Sequence, residues 1–456
     1  MGSWAEEELK YADLGDVRRN RRLVKIVEDL SAQPNESVPQ AARDAAAMQG
    51  IYEFWGNRRI QGSAIIGGHV EKTAERTKEH PAVLALQDTS ELDYSEHTSK
   101  KGVGPLSNPA ARGLKVHTVL SATVDGVPLG VLDQKTWARE VGKGRTKESR
   151  RAITEKESQR WLDSLEATHS RVPAQTQVIT VADREADIYE LFAMARPENS
   201  EFLIRAAQNR NTTKEALSEE VIPLFEAIRQ KSACGEVTLE LQRTPRRSPR
   251  NATLTVRVTK LWLQAPTHLK AKTPQAVEVN VIWAVEENPP EGEKAVNWLL
   301  LTTLEVPDFE SACKCIKWYS MRWLIERYFF SLKSGCQIEK LQLESGERIE
   351  RALATYAIVA WRLLWLTYEA RQNPEQTVEG ILEAHEWQAL YFRIHKTKEL
   401  PEQAPTLGEC VRWVAQLGGF LGRKGDGDPG VKTLWRGLQR LHDIAETWAL
   451  IQQLNC

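Results

Sequence analysis

Both ends of the chain carry apolar residues at helical spacing. In the first segment these residues are Leu14, Leu23, Ile26, Val27 and Leu30. Intervals of three and four residues place side chains on one face of a helix, and a second helix is predicted from Ala41 to Trp55. After residue 371 the pattern again predicts only helices, with tryptophans on their apolar faces. We therefore expect helical regions at residues 1–65 and 371–456.

The middle of the chain alternates between strand and helix patterns. One buried strand is predicted to end at Asp88 and another at Asp183. Between them, Val116–Val124 and Leu129–Leu132 form a predicted hairpin. Residues 201–305 are rich in alternating strand patterns, after which the chain returns to helix. Strands followed by helices indicate an α/β (α+β) core with a mixed sheet.

The composition allows two or three domains and argues against several classes of protein. A chain of 456 residues can bury a sizeable core. The longest apolar run, Tyr356–Tyr368, is short and contains Arg362. We therefore expect a cytoplasmic protein with no membrane partner. The six cysteines lack zinc-ligand spacing, and no small-molecule cofactor is predicted.

The net charge of −1 argues against a uniformly basic DNA-binding chain, but cationic residues cluster in two places. They are Arg18, Arg19, Arg21, Arg22 and Lys25 in the first segment, and Arg243, Arg246, Arg247 and Arg250 in the strand-rich segment. Each cluster is either a solvated surface or a phosphate contact, and the sequence leaves both alternatives open.

A stripe of polar residues follows the strand-rich segment. Tyr319, Arg322, Glu326 and Lys333 lie at offsets of three, four and seven in a segment that is predicted to be helical. At about 100° per residue, their side chains fall within roughly 60° of one another on the helix. The guanidinium and the ammonium suit phosphate, and the hydroxyl can donate to a nonbridging oxygen. The alternative is an exposed ion-pair face, because Glu326 lies four residues after Arg322.

Three carboxylates are candidate catalytic metal ligands, namely Asp88, Asp183 and Glu326. Magnesium prefers octahedral oxygen ligands, and two such ions about 3.5 to 4 Å apart serve an in-line displacement at phosphorus. Either aspartate alone is better explained by a turn or a helix cap. The three together predict a site for two Mg²⁺ ions, in which Mn²⁺ is expected to substitute.

The Tyr-x2-Arg-x3-Glu-x6-Lys spacing from Tyr319 to Lys333 resembles the signature of the YREK insertion-sequence group of DDE transposases. The strings that begin at Asp88 (Asp-Thr-Ser) and at Asp183 (Asp-Arg-Glu-Ala-Asp) are similar to the first two carboxylate motifs of that group. This resemblance implies a ribonuclease-H-like catalytic core that is interrupted by a β-rich insertion at about residues 201–305.

The resemblance also implies cut-and-paste transposition. Residues 1–65 would bind the double-stranded transposon ends, residues 66–370 would form the catalytic domain, and residues 371–456 would dimerise. A homodimer on two ends would nick one strand, form a hairpin, reopen it and join the 3′ ends to target DNA.

Further residues enter through the resemblance. Trp298 would stack against a flipped base, although a tryptophan in an apolar strand is also explained by core packing. Glu185 and Asp187 lie too close along the chain to Asp183 to share every metal contact, so we expect them to orient Arg184 or a ligand. The expected DNA contacts are Arg184, Arg112, Lys115, His117 and the cluster from Arg18 to Lys25.

Two rival interpretations stay open. One is a ribonuclease-H-like nuclease that cuts without strand transfer. The other is a catalytically inactive DNA-binding protein that pairs with active subunits and inhibits transposition. Hairpin and joined products would distinguish the transposase from the nuclease, and metal-dependent cleavage would exclude the inhibitor.

Overall fold

The computed structural model describes residues 3–97, 99–140, 153–216, 218–241, 249–397 and 399–454. It divides the chain into two compact units. The first unit comprises Met1–Glu79, Thr89–Lys143 and Leu324–Cys456, and the second comprises His80–Asp88 and Gly144–Trp323. This division differs from the three consecutive ranges expected above, and those ranges stay a prediction.

The described helices and strands are numbered in chain order. The helices are α1 Trp4–Glu8, α2 Val17–Ala32, α3 Val38–Ala41, α4 Ala45–Gly56, α5 Gly62–Thr77, α6 Gln159–Arg171, α7 Tyr189–Ala193, α8 Leu224–Arg229, α9 Phe309–Ser320, α10 Trp323–Phe330, α11 Gly346–Gln372, α12 Ala384–His395, α13 Leu407–Leu417 and α14 Val431–Leu454. The strands are β1 Ala82–Asp93, β2 Gly104–Pro105, β3 Arg112–Thr123, β4 Pro128–Trp137, β5 Gln177–Ala182, β6 Ser200–Arg205, β7 Asn211–Thr213, β8 Ile222–Pro223, β9 Gly235–Leu241, β10 Arg250–Gln264, β11 Ala276–Val285 and β12 Asn297–Thr302.

The first unit is mainly helical, and the predicted periodicity of its first segment is confirmed. Helix α2 starts at a cap in which the Asp16 carboxylate accepts from the Arg18 amide. Its buried face carries Leu23, Ile26 and Leu30. The second predicted helix corresponds to α4, which begins at Ala45 rather than at Ala41. The short helix α3 ends at Ala41, and the chain between α3 and α4 is not helical.

Helix α11 is the central element of the first unit, and it is buried along most of its length. It is tied to the N-terminal helices by side-chain bonds. The Arg351 guanidinium donates to the carbonyl oxygens of Trp55 at 3.0 Å and Ile60 at 2.7 Å. The Trp55 indole donates to Thr355 Oγ1 at 3.2 Å. A polar group buried in this way needs such partners, so these bonds fix the position of α4 against α11.

The predicted hairpin in the first unit is confirmed. Strands β3 and β4 pair antiparallel, and Gly126 adopts a φ of +95° in the turn, which suits a residue without a Cβ. Strand β3 is buried at almost every position between its ends. It therefore lacks the alternation of exposed and buried residues that a half-exposed strand would show.

The second unit contains a mixed sheet, as predicted. Within it the strand order is β1, β5, β6, β12, β11, β10, β7, β8, and β9 pairs with β10. Strand β5 pairs parallel with both β1 and β6. The pairs β6–β12, β12–β11 and β11–β10 are antiparallel. The alternating strand patterns expected between residues 201 and 305 correspond to β9, β10, β11 and β12.

Helices cover both faces of this sheet. Residues of α6, α7 and α8 share a core with β6 and with Leu301 of β12. Helix α9 contacts β5 and β6 and carries Tyr319. Because side chains alternate along a strand, Trp298 and Leu300 lie on the face opposite to Leu299 and Leu301. Trp298 contacts Tyr319, so α9 lies on the Trp298 face.

Two local predictions are wrong. Strand β1 does not end at Asp88 but continues to Asp93. The stripe from Tyr319 to Lys333 does not lie on one helix, because α9 ends at Ser320 and α10 begins at Trp323. A π-helical turn, Ser331–Gly335, then follows α10. Among the described residues, no helix is both long enough and apolar enough to cross a membrane.

Candidate active site

The parallel strands of the second unit bring two aspartates side by side. Gln87 of β1 is the register partner of Ala182 of β5, so the next residues, Asp88 and Asp183, are neighbours in adjacent strands. The Asp183 backbone is still extended. Neighbouring strands lie about 4.8 Å apart, and paired residues point to the same face. The predicted pairing of these carboxylates is therefore supported by the register of the sheet.

A third side chain belongs to the same row. Ala182 of β5 is also the register partner of Ile204 of β6, so Arg205, the last residue of β6, lies next to Asp183. Burial lowers the pKa of the Arg205 guanidinium, and nearby Arg184 and Arg322 lower it further. The three guanidinium groups make this edge of the sheet positively charged, which favours phosphate. The sequence reasoning missed Arg205, although the position directly after the next parallel strand was a signal for it.

Helix α9 delivers two further predicted residues to this face. Tyr319 is 3% exposed, and its hydroxyl lies within electrostatic reach of the Arg205 guanidinium. Burial raises the pKa of the Tyr319 hydroxyl, so this group stays protonated as a donor. Arg322 follows the helix, and its Nη1 lies 3.5 Å from Asp88 Oδ2. Both side chains of that ion pair are about a fifth exposed, at 19% and 21%, so a ligand can reach them.

Trp298 packs beside Tyr319. The two ring centroids are 5.0 Å apart, and the rings are nearly perpendicular at 72°. Trp298 is half-buried rather than enclosed. A ring that is fixed by one aromatic neighbour and still partly exposed is able to stack against a base. The stacking role stays a prediction.

Asp187 has a different role from the one expected. Its carboxylate Oδ1 accepts from Arg210 Nε at 2.9 Å and Nη2 at 2.8 Å. Its Oδ2 accepts from the amides of Ala207 at 2.7 Å and Gln208 at 2.9 Å. The structure therefore corrects the expectation that Asp187 orients Arg184 or a ligand, because both carboxylate oxygens bind Arg210 and the loop after β6.

Glu185 pairs with Arg160 at 2.7 Å rather than with Arg184. Asp183 Oδ1 accepts from the Glu185 amide at 2.9 Å, so Asp183 caps the short turn that follows it while it faces the site. Arg184 is exposed.

The first unit holds the last two residues of the stripe. Glu326 is half-buried in the first turn of α10. Lys333 lies in the π-helical turn, where its ammonium donates to the Glu91 carbonyl oxygen at 2.7 Å and pairs with Glu339 at 3.2 Å. A π-helical turn often occurs at a functional site. The roles of Glu326 and Lys333 as site residues stay predictions.

Strand β3 corrects two expected DNA contacts. His117 is 0% exposed and its Nδ1 lies 2.9 Å from Thr89 Oγ1. Lys115 is 8% exposed and lies 3.3 Å from Glu91. Side chains buried in this way do not reach a DNA surface directly. Arg112, at the start of β3, is exposed and stays a candidate contact.

The basic cluster on α2 stays available for DNA. Arg21, Arg22 and Lys25 are exposed. Arg18 pairs with Asp16 at 3.3 Å, and Arg19 donates to the Leu14 carbonyl oxygen at 3.0 Å. In the second cluster, Arg243, Arg246 and Arg247 lie outside the described residues, and Arg250 forms an ion pair with Glu286.

The donor set of the second unit fits a divalent cation. Two neighbouring carboxylates with oxygen donors suit Mg²⁺ or Mn²⁺. In the described part of the chain, no group of three or more His, Cys, Asp or Glu side chains is arranged to hold a metal ion. The structure thus supports Asp88 and Asp183 as a pair of metal ligands.

Three family models match this chain. A transposase DNA-binding model matches residues 1–60, a transposase DDE domain matches residues 152–362, and a transposase Tn5 dimerisation domain matches residues 358–451. The DDE match contains Asp183, Glu326 and the whole stripe, whereas Asp88 lies before it. A DDE domain is that of a divalent-metal-dependent enzyme that cleaves and joins DNA strands. The chain therefore carries the DNA-binding, DDE and dimerisation domains of a Tn5-type DNA transposase.

Proposed function

We propose that the chain is a cut-and-paste transposase of the YREK group, acting in the bacterial cytoplasm on double-stranded transposon ends. Water attacks phosphorus and releases a 3′ hydroxyl, which attacks the opposite strand and closes a hairpin. Water then reopens the hairpin, and the 3′ ends attack target DNA. In every step one oxygen atom attacks phosphorus and another oxygen atom leaves it. One site can therefore serve all four steps.

The observation that carries this proposal is that Asp88, Asp183 and Arg205 lie side by side on the neighbouring parallel strands β1, β5 and β6, where the pairing between these strands ends. Helix α9 adds Tyr319, and the turn after it adds Arg322. Two carboxylates beside several phosphate-binding groups are what a metal-dependent phosphoryl transfer requires. The sequence signature adds Glu326 as the third catalytic carboxylate.

Each residue has a role in this proposal. Asp88, Asp183 and Glu326 hold two Mg²⁺ ions, with Mn²⁺ as a substitute; when bound, these ions activate the attacking oxygen and stabilise the leaving one. Arg322 exchanges its contact with Asp88 for a phosphate oxygen. Tyr319 and Lys333 contact neighbouring phosphates, and Trp298 supports the unstacked base at the hairpin.

The remaining parts bind DNA and assemble the complex. The exposed cations of α2 and Arg112 contact the transposon end through phosphates, which fix position rather than sequence. The ranges 1–65, 66–370 and 371–456 act as the end-binding, catalytic and dimerisation domains of a synaptic homodimer. The dimerisation match at residues 358–451 supports the last assignment.

A cleavage assay tests the proposal. DNA that carries the ends flanking the coding sequence is incubated with the protein and Mg²⁺, and nicks, hairpins and joined products are resolved on a gel. Asp88→Ala, Asp183→Ala and Glu326→Ala should each abolish nicking while end binding stays measurable. Asp93→Ala is the matched control, because Asp93 is an exposed carboxylate on the same strand as Asp88.

Each outcome has a defined meaning. Nicking that persists in one variant removes that residue from the triad. Nicks without hairpins or joined products favour a ribonuclease-H-like nuclease. End binding by the wild-type protein with no metal-dependent nicking favours an inactive inhibitor of transposition.

A further inference from the structure

The face of the second unit's sheet opposite to Tyr319 contains a pocket that the transposition chemistry above does not use. Trp283 and Leu299 are register partners of β11 and β12, and Asn297 lies two residues before Leu299. Alternation along β12 puts all three on the face opposite to Trp298. Together with Phe225 and Arg229 of α8 and with Arg184, they line a pocket of about 160 Å³. This volume suits one nucleobase rather than a base pair.

Two arginines of the pocket have no carboxylate partner among the described residues. Neighbouring arginines of the unit are paired: Arg160 with Glu185, Arg210 with Asp187 and Arg257 with Glu287. Arg184 and Arg229 are exposed, and within the described ranges their side chains form no ion pair or hydrogen bond. Two guanidinium groups without carboxylate partners favour an anionic ligand, and phosphate matches their planar donors best.

The aromatic wall of the pocket is held in a fixed position. Trp283 Nε1 donates to Asn297 Oδ1 at 3.0 Å, and the Arg257 guanidinium carbon lies 5.1 Å from the Trp283 ring centroid. The bond from the indole also fixes the Asn297 carboxamide, so its Nδ2 points away from Trp283 as a donor. A rigid indole beside an amide donor and an aromatic Phe225 can stack a base and donate to its edge.

We propose that this pocket binds one unpaired nucleotide of a DNA strand, with its base against Trp283 and Phe225 and its phosphate on Arg184 and Arg229. Arg184 directly follows Asp183, so the strand reaches the pocket from the carboxylate edge of the sheet. The ligand class rests on the proposed function, because DNA is the substrate of a transposase. Strand cleavage is not needed for this binding.

Photo-cross-linking with binding measurements tests the proposal. The probe is a single-stranded DNA pentamer that contains 5-bromodeoxyuridine, used in EDTA at one fixed salt concentration. Wild-type protein should give a cross-link at Trp283 or Phe225 by mass spectrometry. Arg229→Gln should lose it and weaken binding by roughly 5-fold or more. Lys231→Gln is the control, because Lys231 is also an exposed cation but does not line the pocket.

A second variant and a second set of probes make the test decisive. Trp283→Leu should also weaken pentamer binding, after a thermal melt has established that it folds. A duplex with an overhang should show the same Arg229 dependence, and a blunt duplex should not. The proposal is overturned if Arg229→Gln behaves like Lys231→Gln, if cross-links are confined to the Trp298 face, or if the blunt duplex depends equally on Arg229. Because EDTA prevents cleavage, failure of catalysis elsewhere leaves these results unchanged.

Discussion

Two aspartate–arginine pairs in the second unit serve different purposes. Asp187 and Arg210 have side chains that are 0% and 6% exposed, and the carboxylate also accepts two backbone amides. Asp88 and Arg322 are about a fifth exposed, and their closest oxygen and nitrogen atoms are 3.5 Å apart. The first pair holds a loop, whereas the second is loose enough for a ligand to replace the arginine. An aspartate and an arginine therefore stabilise a loop in one pair and form part of a candidate active site in the other.

The difference has an energetic basis. Removal of one partner from a buried ion pair leaves an unpaired charge in a medium of low polarity, which costs about 3 to 5 kcal/mol. A partly exposed pair with a long contact contributes about 1 kcal/mol or less, because water and salt screen it. Substitutions in the two pairs should consequently separate stability from activity.

The largest expected effect on stability is that of Asp187→Ala. The substitution removes the carboxylate that accepts from the buried Arg210 guanidinium. We expect the free energy of unfolding to fall by about 3 to 5 kcal/mol, which is measured as a large drop in melting temperature. Glu185→Ala is the matched control, because Glu185 is 65% exposed in its pair with Arg160. If both variants have the same melting temperature as the wild-type protein, the assignment of Asp187 as a structural residue is wrong.

A buried cluster in the first unit, formed by Glu8, His69 and Arg76, should make the stability of the protein depend on pH. The Glu8 carboxylate lies 2.8 Å from Arg76 and also contacts His69, whose Nε2 accepts from the Val131 amide at 2.9 Å. Burial raises the pKa of Glu8, but Arg76 and His69 outweigh it, so the net shift is downward. Burial lowers the pKa of His69 from its usual 6.5.

Both shifts make the folded chain bind fewer protons than the unfolded chain. Stability conferred by His69 is therefore lost as the pH falls below 6.5, and that conferred by Glu8 is lost as the pH falls below 4.5. We expect the melting temperature to decrease from pH 7 to pH 5, and His69→Gln to flatten this decrease. A wild-type melting temperature that is constant over this range would contradict the neutral, buried state of His69.

Tyr319→Phe should have a smaller effect than either buried ion pair. It removes the hydroxyl that interacts with Arg205 but keeps the buried ring against Trp298. We expect a loss of about 1 kcal/mol in stability together with weaker binding of cleavage-site DNA. Tyr391→Phe on α12 provides a comparison away from the site. Equal effects of the two substitutions on DNA binding would remove Tyr319 from the phosphate contacts.

Asp88→Asn should have the smallest effect on stability. The contact with Arg322 is long and partly exposed, so we expect a change below about 1 kcal/mol in either direction. Thermal melting beside Asp187→Asn measures the contrast directly. A loss for Asp88→Asn as large as that for Asp187→Asn would show that the Asp88–Arg322 pair is structural too.

Much of the framework could be predicted from the sequence because local patterns determine it. The apolar run before Asp183 was long enough to indicate β5, and the turn at Gly126 indicated the hairpin. The helical face of α2 followed from spacing alone. In each case residues close in the sequence decide the structure.

The errors arose where distant contacts decide the structure. Strand β1 continues past Asp88, which the chain pattern did not show. Lys115 and His117 are buried because β3 is covered on both faces, which overrides the exposure expected of polar residues. The partner of Asp187 is Arg210, 23 residues later, and no spacing rule identifies such a pair.

The most direct measurement of the central claim is the location of a bound divalent cation near Asp88 and Asp183. Fe²⁺ would be loaded in place of Mg²⁺, and ascorbate with peroxide would then cut the polypeptide close to the ion. The account predicts cuts near residues 88 and 183 that disappear in Asp88→Asn and Asp183→Asn and persist in Asp93→Asn. Cuts that are unchanged in Asp183→Asn, or that occur only elsewhere in the chain, would contradict it.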